Sequence, residues 1–382
     1  MRIAFISFIK DPWGGSEELW AAAAEQAMKE GYEVIISAIK LNVPAPRFEA
    51  LAEKGAKLQY RRGFINPVWT RKERVFRKII LFLQNIIQNP FHKLFHTNPD
   101  VVVYTGAAYS MTLNKPLFDG LMRKNIPYVL NIQVNVEYGR PVNNEEAQYL
   151  SKVYEQAAAS VFVSERNLEV AERHLLLRIK NAKVLRNPVN LPAISALPMP
   201  GIEDGIHIAI VANLLVNHKG QDLALALFRM PKWRSRPLHL HLYGSGYDEA
   251  YLKALASFYE IEDRVRFHGK TSDILSVWKN NHILLLPSLN EGTPLALVEA
   301  MLCARPVITT DVGGNTEWVR DGVDGFIAAG ANLQALDDAL ERTWQQRAAL
   351  VAMGLSAFER AKSLHEPAPG KRFLELILQH GQ

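Results

Sequence analysis

Short apolar runs alternate with amphipathic stretches from one end of this chain to the other. Arg2–Phe8, Glu33–Ala38, Val101–Tyr104, Tyr128–Ile132 and Ser160–Val163 read as buried strands. Between them, Glu17–Lys29, Tyr109–Arg123 and Glu145–Ala158 carry apolar residues at helical spacing. After Asn187 the pattern restarts with Ile206–Val211, Leu238–Leu242, Val265–Phe267, Ile283–Leu286 and Val307–Thr309, again with helical stretches between. Such alternation predicts parallel sheets in α/β domains. Residues 191–204 hold Pro192, Pro198, Pro200 and Gly201 with no periodicity, which predicts a linker. Two Rossmann-like domains follow, over residues 1–190 and 205–365. In open sheets of this kind ligands bind at the carboxyl ends of the strands, so a cleft between the halves is the expected active site.

Composition narrows the class without naming a function. A length of 382 residues suits two domains, and 48% apolar with 22% charged residues is that of a globular protein. The net charge of +5 favours anionic partners in general. A single cysteine, Cys303, rules out an internal disulfide and fits a reducing compartment. No run approaches the roughly 18 apolar residues of a spanning helix, and Met1–Phe8 meets Lys10 and Asp11 too soon for a signal peptide. The expectation is a cytoplasmic protein.

The chemistry concentrates in Pro287–Glu299, P-S-L-N-E-G-T-P-L-A-L-V-E. Thr293 is placed to cap a helix with Pro294 as its first residue, leaving amides that attract an anion, phosphate above all. Glu291 and Glu299 flank that helix start. Carboxylates repel phosphate but accept hydrogen bonds from sugar hydroxyls, so the stretch suits a sugar–phosphate–ribose molecule. Lys219, in Asn213-Leu214-Leu215-Val216-Asn217-His218-Lys219-Gly220, is read as standing at a helix start, against the dipole. That placement suggests a point charge for a pyrophosphate, against the plainer reading of a solvated surface lysine. His218 reads as a bystander. Gly14-Gly15-Ser16 after the first strand permits close backbone approach, with Ser16 a helix cap, although a tight turn explains it too. No G-x-G-x-x-G is present there, which rules down a NAD-dependent oxidoreductase. Gly244-Ser245-Gly246 and Asp311-Val312-Gly313-Gly314 are further turns after strands.

Taken in order, these residues resemble the retaining glycosyltransferases of the GT-B fold, family four, or glycosyl transferases group 1. Glu291 and Glu299, with seven residues between them, match the family's E-x7-E. Gly14-Gly15, Phe162-Val163-Ser164-Glu165, Asn187-Pro188-Val189, Lys219-Gly220, Gly244-x-Gly246, Phe267-x-Gly269 and Asp311-x-Gly313-Gly314 match in sequence from Met1 to about Ala361. The resemblance implies a nucleotide-diphosphate-sugar co-substrate, a UDP- or GDP-sugar, held mainly by the second domain without a metal or other cofactor. It implies Glu299 on the ribose diol and Glu291 on the donor sugar. Backbone amides of Gly292, Thr293, Pro294 and Leu295 would serve the sugar and distal phosphate. Lys219 would meet the pyrophosphate, the strand end around Phe267–Lys270, with Gly269, would hold the base, and Gly244 would line the same site. Gly14 and Gly15 would close over the phosphates from the other domain. A last helix within residues 366–382 would cross back to the first domain.

Two departures stand out. Where the family commonly has an arginine ahead of the lysine, this chain has Asn213. Where it has a histidine on the acceptor side, this chain has Gln133, flanked by Asn131 and Asn135. The function implied is transfer of a sugar to a hydroxyl of a glycan or lipid-linked acceptor, with anomeric configuration kept. The alternative is a nucleotide-sugar-binding partner that has lost catalysis. A paired-carboxylate hydrolase is disfavoured, because an anion-binding helix start has no use in glycoside hydrolysis. No nucleic-acid partner is expected. Residues 71–87 run from R-K-E-R-V-F-R-K into I-I-L-F-L-Q-N-I-I, which suits the inner face of an anionic membrane, against the plainer reading of a core helix with a basic edge.

Overall fold

The computed structural model describes residues 1–9, 13–40, 45–61 and 89–381. The basic and apolar stretch at 71–87, and Asp11 and Pro12 of the first loop, lie outside the described residues. The chain divides into two units, Met1–Pro188 with Pro367–Gln382, and Val189–Glu366.

The first unit is built on seven parallel strands, β1 (Arg2–Ile6), β2 (Glu33–Ile39), β3 (Lys57–Arg61), β4 (Val101–Ala107), β5 (Tyr128–Val134), β6 (Ala159–Phe162) and β7 (Ala182–Val184), in the order β3-β2-β1-β4-β5-β6-β7. β1 over Ile3–Ile6 and β4 over Val101–Tyr104 are apolar and buried, as suits strands covered by helices on both faces of the sheet. One cover includes the last helix, Pro369–Leu378, whose Phe373, Leu374 and Ile377 pack with Leu19, Ala23 and Ala27 of helix Glu18–Lys29. Small residues on the earlier helix let the two approach closely.

The second unit has six parallel strands, β8 (Ile206–Val211), β9 (Leu238–Tyr243), β10 (Val265–Gly269), β11 (Ile283–Leu286), β12 (Val307–Thr310) and β13 (Gly325–Ala328), in the order β10-β9-β8-β11-β12-β13. Helices Gln221–Phe228, Glu249–Phe258 and Leu333–Gln345 cover one face. Helices Leu295–Leu302 and Leu350–Leu364 cover the β11–β12 side of the other. Burying each large aliphatic side chain of a strand such as β11 contributes about 1.5–3 kcal/mol.

Residues 191–204, expected as a free linker, belong to the second unit. The buried Arg305 guanidinium donates to the carbonyls of Leu197 (3.1 Å) and Pro198 (2.7 Å). A buried cation without a carboxylate partner has to collect carbonyl oxygens, and this proline-rich stretch, poor in internal hydrogen bonds, supplies them.

Candidate active site

The order of the second sheet reverses at β8: the chain steps from β8 to β9 and β10 on one side, then to β11, β12 and β13 on the other. Loops leaving β8 and β11 therefore diverge and leave a crevice at the carboxyl ends. Residues 212–220 and 287–294 are those two loops.

They are laced together. The Leu289 N–H donates to the His218 carbonyl at 2.9 Å. Lys219 Nζ donates to Glu291 Oε1 at 2.7 Å, and the Ser288 hydroxyl donates to the same oxygen at 2.7 Å. Glu291 is only 5% exposed, and both of these bonds fall on Oε1, leaving Oε2 without a hydrogen bond among the described residues. The loop after β12 adds a third layer, with the Thr310 hydroxyl on the Ser288 carbonyl (2.6 Å) and the Gly314 N–H on the Gly292 carbonyl (2.7 Å). Gly220 (φ 64°) is left-handed, and a Cβ there would stand 2.1 Å from the Pro287 oxygen. Gly313 (φ 51°) sits equally close to the Glu291 carbonyl, at 2.2 Å. At both positions only glycine lets the loops meet.

Two local expectations need correction. Lys219 ends the one-turn helix Val216–Lys219 and also stands directly before Gly220, the N-cap of helix Gln221–Phe228. A cation there agrees with the dipole of the first helix and opposes that of the second, so the expected conflict is partly offset. The helix after β11 is Leu295–Leu302, with Pro294 rather than Thr293 in the capping position. Pro294 has ψ 123°, which takes it out of the helix, and it has no side-chain acceptor for the first turn. The amides of Leu295 and Ala296, both half-buried, therefore lead that turn. Glu299 lies on this helix, 3% exposed, with Oε1 accepting the Asn190 N–H at 3.2 Å.

The remaining candidates are placed as follows. Asn213 is exposed; its carbonyl accepts from Gln221 Nε2 (2.8 Å). The Gly244 N–H donates to the Gly269 carbonyl at 2.8 Å, joining the ends of β9 and β10. Phe267 is half-buried against the core, with the Lys253 ammonium 5.7 Å from its ring centroid, so it offers a ligand its backbone. His218 is made less basic by burial and by the Lys219 charge, and stays neutral.

In the first unit Gly14 precedes a short 3-10 turn, Gly15–Glu17, that leads into helix Glu18–Lys29. Ser16 does not cap that helix; its hydroxyl donates to Glu17 Oε1 at 3.3 Å. Glu17 itself is buried, accepts the Trp20 indole N–H, and has its carboxyl pushed up to about 7 by burial. In sequence it reads as an ordinary acid of a first helical turn, and nothing there signals its burial. Asn131 and Gln133 are also buried, in a chain of amides. Asn131 Nδ2 donates to Thr105 Oγ1 (3.1 Å), Gln133 Nε2 to Asn131 Oδ1 (2.8 Å), and Asn187 Nδ2 to Gln133 Oε1 (2.7 Å). As placed, Asn131 has no exposed surface to offer an acceptor. Cys303 is fully buried and its thiol is pushed up to about 12 by burial, so it is inert.

Residues 199–360, most of the second unit, match the family model described as "Glycosyl transferases group 1". The amylovoran biosynthesis glycosyltransferase AmsK of Erwinia amylovora is 33% identical over 173 residues, 42% of this chain and 42% of that protein. The D-inositol 3-phosphate glycosyltransferase of Streptomyces griseus is 35% identical over 147 residues, 37% of this chain and 31% of that protein. The chain thus spans less than half the length of these curated relatives. The crystal structure of Anabaena HepE in complex with UDP and glucose superimposes with a TM-score of 0.75 at 16% identity, over 99% of this chain and 100% of that one. That likeness is one of fold, and the two parallel-sheet units are those of GT-B. Over residues 199–360, within its second unit, the chain is thus similar to the glycosyl transferases group 1.

Proposed function

We propose that this protein transfers a sugar from a nucleotide-diphosphate-sugar to a hydroxyl of a glycan acceptor, with the anomeric configuration kept. The observation that carries the reading is the crevice at the reversal of the second sheet. There Lys219 and Glu291 meet beside the start of a helix, with Glu299 farther along it. Charge develops on the departing phosphate oxygen, so the step is favoured by groups already aimed at that oxygen. Lys219 and the amides of Leu295 and Ala296 are such groups, and no metal enters the step. Glu291 keeps Oε2 for a donor-sugar hydroxyl, because Lys219 and Ser288 are both spent on Oε1. Glu299 holds the ribose diol. Neither carboxylate is a nucleophile in this scheme. Named relatives act on glycans or inositol phosphate, and the HepE structure contains UDP and glucose, which supports a nucleotide sugar as donor.

Calorimetric titration with UDP-, GDP- and ADP-sugars tests the reading. One of them should bind, and Glu299→Ala should weaken it at least tenfold. Absence of binding by all three, or an unchanged affinity in Glu299→Ala, overturns it. A catalytically inactive binding partner would bind nucleotide equally well and show no turnover with any acceptor.

A further inference from the structure

On the second unit, β9 alternates Leu238, Leu240 and Leu242 into the core with His239, His241 and Tyr243 on the opposite face. β8 and β10 place His207 and His268 on that same face. The result is a row of imidazoles across three neighbouring strands. His207 Nδ1 lies 2.8 Å from His241 Nε2, and His241 Nδ1 lies 2.9 Å from His268 Nε2. Tyr243 extends the row, its ring 4.3 Å from that of His268 and within 7° of parallel. The row lines a cavity of about 640 Å³, walled by helix Ile274–Asn280 and by Pro200-Gly201. This place is distinct from the crevice between β8 and β11.

Each internal nitrogen of the row is spent on its neighbour. The two end nitrogens, His207 Nε2 and His268 Nδ1, have no hydrogen-bond partner among the described residues. A neutral row must therefore present one N–H end and one lone-pair end, while a row carrying one extra proton presents N–H at both. The spacing is that of hydrogen-bonded rings, and among the described residues no group of three or more His, Cys, Asp or Glu is arranged to hold a metal ion.

We propose that this cavity binds an acidic sugar, a hydroxylated ligand bearing a carboxylate or phosphate, and that binding adds a proton to the His207–His241–His268 row. The volume lies within the roughly 300–1,000 Å³ typical of small-molecule sites and is too large for a bare oxyanion. The hydroxyls of Thr271 and Ser276 and the carboxamide of Asn280 suit a polyol. Lys279 on the rim supplies a fixed cation. The opposing Asp273 has Oδ1 engaged by the Ser276 N–H at 3.0 Å.

Other charged neighbours hold the empty row neutral. Arg266 on β10 and His239 on β9 oppose an added proton, and Asp204, ahead of β8, favours one. His282, next to Arg305, is fixed as a neutral tautomer: its Nδ1 accepts the His207 N–H, and its Nε2–H faces the Gly201 carbonyl. Burial lowers the basicity of His207, His241 and His268 alike; His239 adds its repulsion at His207, the other rings and Arg266 at His241, and Arg266 at His268. An anion in the cavity offsets these positive neighbours and favours the charged row, so its binding takes up a proton.

The test is calorimetry of the full chain with methyl glucuronide and glucose 6-phosphate, against methyl glucoside and inorganic phosphate. Each titration is run at about pH 6 and pH 8 in two buffers of different ionisation enthalpy. One or both acidic sugars should bind about tenfold more tightly per pH unit of acidification, with close to one proton taken up. They should also shift the imidazole nitrogen resonances of His241 and His268. His241→Gln, which keeps a hydrogen-bonding side chain and cannot titrate, should weaken binding and remove its pH dependence. If that variant does not fold, His268→Gln at the open end of the row serves the same purpose. Glu299→Ala should leave this binding unchanged, which separates it from the donor site. The proposal is overturned if neither acid binds, if glucoside or phosphate binds as tightly, or if affinity does not change with pH.

Discussion

The two units hold a buried carboxylate in their strand-end loops by opposite means. Glu291 in the second unit is met by a cation, Lys219, and a hydroxyl, Ser288. Glu17 in the first unit is met, among the described residues, by an indole and by serine hydroxyls with no cation among them, and burial pushes its carboxyl up to about 7. The contacts on Glu291 Oε1 fix that side chain in place as an acceptor. Glu17, pushed up by burial, changes charge near neutral pH. The second unit's loop is thus built to orient an acceptor, and the first unit's is built around a group that tends to shed its charge.

The comparison breaks most sharply at Lys219. Lys219→Met should lower the proposed transfer rate about 100- to 1,000-fold, the usual effect of removing one preorganised donor from a developing oxyanion. Steady-state turnover with the donor found by titration is the measurement. Lys219→Arg should recover part of the loss, because charge returns without the same geometry. Equal rates in wild type and Lys219→Met would remove this lysine from the chemistry.

Glu17 supplies the next largest effect, on stability. Its carboxyl rises from 4.5 to about 7 in the folded state because burial disfavours the charged form. The folded protein therefore binds the proton more tightly than the unfolded chain. The stabilisation is full below about pH 4.5 and is lost as pH rises through about 7, a loss of about 3 kcal/mol. Glu17→Gln should flatten that decline, leaving the variant more stable than wild type at about pH 8 and no more stable at about pH 5. Urea denaturation across this range reads it directly.

Much of this frame is legible in the sequence, and the exceptions share causes. Strands buried along most of their length, such as Ile206–Val211 and Ile283–Leu286, stand out as largely apolar runs with the bounds observed. Lys57–Arg61, Ala182–Val184 and Gly325–Ala328 do not, because β3, β7 and β13 are sheet edges and need no continuous apolar run. Glu291, Glu299 and Lys219 are visible as unusual charges around a helix start, and the structure brings Lys219 and Glu291 into contact. The details of the helix ends are not visible, since whether Pro294 caps the helix or enters it depends on one backbone angle. Glu17 and the histidine row are invisible for another reason. Their character comes from burial and from neighbours on other strands, which no local pattern records.

The smallest effects test how tightly each loop is tied. Gly220→Ala would place a methyl group 2.1 Å from the Pro287 oxygen in a left-handed conformation, so the two loops must part. The cost should be about 1–3 kcal/mol, read as a lowered midpoint in urea, with weaker nucleotide binding because Lys219 is the adjacent residue. Gly14 is extended (φ −151°), and among the described residues an added methyl group would meet the tip of Ile9 at 3.2 Å and the Ser16 hydroxyl at 3.9 Å. Gly14→Ala should therefore change stability by no more than about 0.5 kcal/mol. A large loss at Gly14 with little at Gly220 would reverse the comparison, making the first unit's loop the rigid one.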